Sequence, residues 1–179
     1  YSDLEELVEL LQGVDLDLND LALETDGRLL LSWPLLNQGI DAIGEMLAQP
    51  EVLMGLADAG AHVGQTMDAS APTYLLAYWA RERGVLSVED AVRRLTSDTA
   101  STFGIADRGV VRIGAYADLN VIDWAELALP VPEFVHDFPN DAGRFIGRAR
   151  GYDATIVNGR VFMEHGEHTG ELAGQLVRP

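Results

Sequence analysis

The 179-residue chain contains no cysteine. A disulfide scaffold and a cysteine-ligated zinc site are therefore both excluded within it. The missing disulfides fit a cytoplasmic protein, although secreted bacterial proteins also often lack them. Basic residues are scarce. Twelve Lys+Arg stand against 29 Asp+Glu, a formal net charge of −17, and such a surface repels phosphate backbones and anionic headgroups. Neither nucleic acid nor a membrane surface is an expected partner. No apolar run reaches the roughly 18 residues of a membrane span, and no basic, apolar leader opens the chain. Several motifs are also missing: the phosphate loop, a G-x-G-x-x-G after a strand, a G-x-S-x-G elbow and an H-E-x-x-H helix. The usual routes to nucleotide binding, serine hydrolysis and zinc-helix proteolysis have no motif here.

What is present suits a folded domain. Hydrophobic residues make up 47% of the chain, enough for a core. Tyr1 rather than a methionine opens it, so upstream sequence is expected. Helical periodicity comes first. Leu4, Leu7, Val8 and Leu11 share one helical face, and a short helix is expected from about Asn19. Arg28 to Trp33 and Val52 to Ala57 are brief apolar runs that read as buried strands, with a helix from Ile40 to Leu47 between them that Pro50 ends. This alternation suggests parallel strands joined by helical crossovers. Pro72 to Arg83 reads as a helix with Leu75, Leu76 and Trp79 inward, stopped by Gly84. Ser87 to Asp90 resembles a capping box for a helix running to about Thr102.

Near Gly104 the pattern becomes turn-rich and strand-like. Strands are expected at Val110 to Ile113, Asp118 to Trp124, Ala154 to Asn158 and Arg160 to Met163, and Asn158-Gly159 is a hairpin signal. Pro130, Pro132 and Pro139 read as an irregular stretch between them. A domain boundary near residue 104 divides the chain into residues 1–104 and 105–179.

Chemistry concentrates in Leu53 to Gly64, LMGLADAGAHVG. Here an apolar run ends in Asp58, followed by small residues and His62. In parallel α/β architectures the carboxyl ends of the strands form the active-site face. An Asp there, with Gly60 and Ala61 leaving room, can hold a metal or take a proton from an activated water. It can equally cap a turn. His62 reads either as a metal ligand or substrate-loop contact or as a solvated loop histidine. Two further polar groups, His165 with His168 and His136-Asp137, lie in turn-rich sequence that fixes no geometry.

Three stretches together resemble one family. Met54 to His62 is similar to the last barrel strand of the amidohydrolase superfamily, in the branch of the N-acyl-D-amino-acid deacylases. Phe103 to Gly114, continuing through Ala117 to Asp123, resembles the return of these chains into a small β domain. His136 to Pro139, Gly143-Arg144, Gly151, Ile156 to Gly159, His168 to Gly170 and Gly174 to Arg178 resemble the deacylase-type C-terminus. The resemblance implies an α/β fold: the C-terminal part of a metal-dependent (β/α)8 barrel over residues 1–104, followed by a small β-sandwich over 105–179. It implies a metal centre, usually zinc. Asp58 matches the strand-eight Asp of the family, whose implied role is to bind the metal and shuttle a proton from the attacking water to the leaving amine. His62 matches the motif without a settled role.

The family's other metal ligands would lie upstream of Tyr1. A full barrel of this kind takes about 250 residues, so the chain would hold roughly the last two βα units. A catalytic zinc needs about three protein ligands, so the chain alone is expected to be inactive. The implied substrate is a small N-acyl amino acid. A cyclic amidase of the dihydroorotase or hydantoinase kind and a non-catalytic binding or assembly module are the alternatives. A cut barrel edge would favour self-association or association with the missing N-terminal part.

Overall fold

A computed structural model describes residues 23–26, 28, 39–55, 57–65 and 68–177. The chain divides into two compact units, Tyr1–Gly39 and Ile40–Pro179. In the first unit, Leu23 to Asp26 form a turn in which the Asp26 N–H donates to the Leu23 carbonyl at 3.1 Å. The expected helices at residues 2–12 and near Asn19 lie outside the described residues, as does the expected strand beyond Arg28.

The second unit begins with helix α1, Ile40–Leu47, as the periodicity predicts. Helix α2, Ala71–Tyr74, has proline in its first turn and continues as a π-helical segment, Leu75–Glu82. The wider winding shows in the bond from the Arg83 N–H to the Tyr78 carbonyl, 2.8 Å and five residues back. Helix α3, Val88–Leu95, starts at Ser87, whose Oγ accepts from the Asp90 N–H at 3.0 Å. This satisfies one of the amides that a helix start leaves without an intrahelical partner. The expected single helix to Thr102 is in fact two. Thr96 leaves helical geometry at φ −127° and ψ −92°, and helix α4, Ser97–Thr102, follows.

The core is built by the π-helical segment. Leu75, Leu76, Ala77, Trp79 and Ala80 are buried with Leu47, Leu86, Ala91 and Leu127. Gly44 sits on the buried side of α1 because a Cβ there would lie 3.2 Å from the Trp79 ring. Arg94 is the unusual member of this interior, only 3% exposed. Its Nη1 donates to the Leu47 carbonyl at 2.6 Å and to the Val52 carbonyl at 3.1 Å. It thereby neutralises the carbonyl end of α1 and holds the chain that follows.

Every paired strand among the described residues is antiparallel. Strands β1 (Leu119–Ile122), β4 (Tyr152–Val157), β5 (Arg160–Glu164) and β6 (Glu167–His168) form one sheet in the order β1-β4-β5-β6. Strands β2 (Glu133–Phe138) and β3 (Ala142–Ile146) form a separate hairpin. The β4–β5 turn is the expected one. Asn158 (φ 50°) and Gly159 (φ 77°) both take the left-handed conformation that a two-residue hairpin turn needs. Arg108 ties the preceding loop to this turn. Its guanidinium pairs with Asp118, donates to Asn158 Oδ1 at 2.9 Å and lies over the Tyr116 ring at 4.3 Å.

Three expectations are corrected. Val52 to Ala57 forms no ladder among the described residues, and no parallel pair exists there. A strand of a parallel sheet is held by neighbours on both sides, and no described segment pairs with this one. Val110 to Ile113 is also no strand; it is a surface segment with Ile113 fully exposed, set between Gly109 and Gly114, both at positive φ. Conversely, the proline-rich stretch read as irregular contains β2. Pro132 precedes the strand and Pro139 follows it, positions where a missing N–H costs no ladder bond.

Candidate functional site

The half-buried segment Val52–Met54 runs out of the core, with Met54 packed against the buried cluster. It emerges into the loop that carries Asp58 and His62. Asp58 is exposed, and its carbonyl accepts from the Ala61 N–H at 3.0 Å, which closes a tight turn. Its own N–H donates to Asp68 Oδ2 at 2.9 Å. Gly60, at φ 95°, has open space where a Cβ would stand.

His62 is exposed and left-handed at φ 54°, and its carbonyl accepts from the Gln65 N–H at 2.8 Å. A non-glycine residue in that conformation costs on the order of 1–2 kcal/mol, a strain that clusters at functional loops. One residue on, the Val63 carbonyl accepts from the Phe145 N–H at 2.9 Å. The loop is thus fastened to β3 on one side and to Asp68 on the other. Its backbone is bonded, and its two titratable side chains are turned to solvent.

The other polar groups have local duties. His136 Nδ1 lies 2.8 Å from the Asp141 carbonyl, and Arg144 grips Asp137 through both carboxylate oxygens at 2.7 and 2.6 Å. Those hydrogen bonds hold the Asp137 carboxyl below its ordinary range and push the Arg144 guanidinium up. His168 Nδ1 accepts from the Gly170 N–H at 2.9 Å, while His165 faces Asp153 at 3.9 Å, so the two histidines near the C-terminus have separate partners. A cleft of about 430 Å³ lies between Arg148, Tyr152, His165 and Glu167 and includes neither Asp58 nor His62.

Among the described residues no group of three or more His, Asp or Glu side chains gathers to hold a metal. Asp58 and His62 therefore do not fit a complete metal centre by themselves. Sequence reading passed over Asp68. The available signal was an acidic residue directly before Ala69-Ser70-Ala71-Pro72, where a helix is about to begin.

Comparison with known proteins gives the chain its family. D-aminoacylase of Alcaligenes xylosoxydans xylosoxydans is 35% identical over 103 residues, 58% of this chain and 19% of that protein. N-acyl-D-aspartate deacylase of the same organism is 32% identical over 114 residues, 60% of this chain and 20% of that protein. A solved D-aminoacylase mutant in complex with copper chloride is 33% identical, with a TM-score of 0.50, over 60% of this chain and 21% of that one. The chain spans about a fifth of the length of these relatives. The Amidohydrolase family matches residues 11–163, well over half of the sequence, and the chain belongs to that family.

Proposed function

We propose that the whole protein is a metal-dependent hydrolase of C–N amide bonds that deacylates N-acyl-D-amino acids, and that this chain is its C-terminal part. The observation that carries the proposal is the Asp58 turn: an exposed acidic residue on a backbone fixed from both sides. Support for the substrate class comes from two relatives, a D-aminoacylase and an N-acyl-D-aspartate deacylase. In this reading Asp58 accepts a proton from the attacking water and passes it to the departing amine, which general acid–base chemistry requires of a group near both atoms. His62 is the proposed contact to the substrate loop. The metal we propose is zinc, with Asp58 as one ligand and the remaining ligands outside this chain. Residues 1–104 are assigned to the last barrel units and 105–179 to a small β-sandwich.

Two further assignments follow. The protein is cytoplasmic. This chain, made alone, is inactive and associates with itself or with the N-terminal part; sedimentation as a single monomer at micromolar concentration would count against that association.

The test of function is a substrate panel on the intact protein. It compares an N-acetyl-D-amino acid, its L enantiomer and a cyclic amide such as dihydroorotate. Hydrolysis of the D substrate over the L form supports the proposal. Cleavage of the cyclic amide alone assigns a cyclic amidase, and no hydrolysis in the presence of bound metal assigns a binding or assembly module.

A further inference from the structure

We infer that Asp68 is a positioning residue for Asp58, acting through the main chain rather than through charge. The inference rests on the proposed role of Asp58. The Asp58 N–H donates to Asp68 Oδ2 at 2.9 Å, and among the described residues that amide has no other acceptor. The contact spans ten residues of sequence, so it joins two separate pieces of the unit rather than stabilising a local turn.

The two ends of this bond differ in rigidity. Asp68 opens the short 3₁₀ turn Asp68–Ser70, which runs directly into α2 and the π-helical segment. Within that run Thr73 is buried and bonded to the Tyr152 hydroxyl at 2.8 Å, and Leu75 is completely buried. Asp58, by contrast, sits in an exposed loop with no buried neighbour in sequence. The bond therefore transfers the fixed position of the core helix to the backbone atom next to the Asp58 side chain. A carboxylate serves here because a charged acceptor binds an amide about twice as strongly as a neutral one.

What matters for the reaction is where the Asp58 carboxyl stands relative to the bond being cleaved. A displacement of about 1 Å at a reacting group costs on the order of a hundredfold in rate. Removing the acceptor should thus lower turnover and leave substrate affinity nearly intact.

The experiment uses the intact protein, N-acetyl-D-leucine as probe and the variants D68A, D68S, D68N and D58N. Kinetics are read together with hydrogen–deuterium exchange of a peptide covering residues 52–65, which begins far enough upstream for the Asp58 amide to keep its label. D68A is expected to lower kcat by about 10- to 100-fold, with KM little changed, and to speed exchange at the Asp58 amide. D68N keeps a neutral acceptor oxygen and is expected to recover part of the kcat and the protection; D68S replaces D68A if the latter does not fold. Equal losses in D68N and D68A would overturn the main-chain role, as would an unchanged amide in D68A. If D58N leaves hydrolysis intact, the role of Asp58 fails instead, and the exchange data alone then support or overturn the Asp68 contact.

Discussion

The π-helical segment and the Asp58–Gln65 loop belong to one unit and are built on opposite plans. In the segment the side chains do the holding. Leu75 and Trp79 are buried, Tyr74 stacks on Tyr78 with ring centres 4.8 Å apart, and Trp79 meets Tyr78 edge-on at 5.1 Å. Burial, with Tyr78 and Glu82 nearby, pushes the Tyr74 hydroxyl up to about 12, so it stays neutral at any physiological pH. In the loop the main chain does the holding, through the bonds to Asp68 and Phe145, and the side chains of Asp58 and His62 are left to solvent. A packed scaffold with a backbone-anchored loop is how proteins hold reactive groups in place without burying them.

This contrast can be broken most severely at its packed end. Trp79→Ala empties the centre of the cluster and should cost about 3–5 kcal/mol, read as a lowered urea midpoint. Next comes Arg94→Met, which leaves the Leu47 and Val52 carbonyls without their donor. A loss of about 1–3 kcal/mol is expected in the same titration. Ser87→Ala removes the α3 cap for about 1 kcal/mol.

At the loop end, His62→Gly should raise stability by up to about 1 kcal/mol, because glycine relieves the left-handed strain at this exposed position and gives part of it back as unfolded-state entropy. The smallest effect concerns Asp137. Its hydrogen bonds from Arg144 hold its folded-state carboxyl below the unfolded value. The pair therefore stabilises the β2–β3 hairpin above the unfolded value, and that contribution is lost as pH falls through the lower folded one. The carboxyl chemical shift of Asp137 should titrate at higher pH in Arg144→Gln than in the unaltered chain.

Legibility in the sequence followed the same division. Local signals with one meaning were readable: the Ile40–Leu47 periodicity, the Ser87 cap and the Asn158-Gly159 turn. The π-helical winding of Leu75–Glu82 was not, because its apolar spacing also fits an ordinary helix. Strand β2 was hidden between two prolines, and nearly all of its residues are exposed, so no alternation marked a buried face. Val110 to Ile113 has strand-forming residues but no pairing partner among the described ones, and a strand exists only by pairing. Asp58 and His62 stood out because an apolar run ended on them. Asp68 did not, because its one local mark, an acidic residue before a helix start, says nothing of the main-chain bond it accepts from ten residues away.

The central claim is that Asp58 moves the proton during amide hydrolysis, and Asp58→Asn in the intact protein tests it most directly. The account predicts that kcat for an N-acetyl-D-amino acid falls by about 10²–10⁴-fold, with the unfolding midpoint unchanged because the side chain is exposed. Turnover within a few fold of the unaltered protein would contradict it.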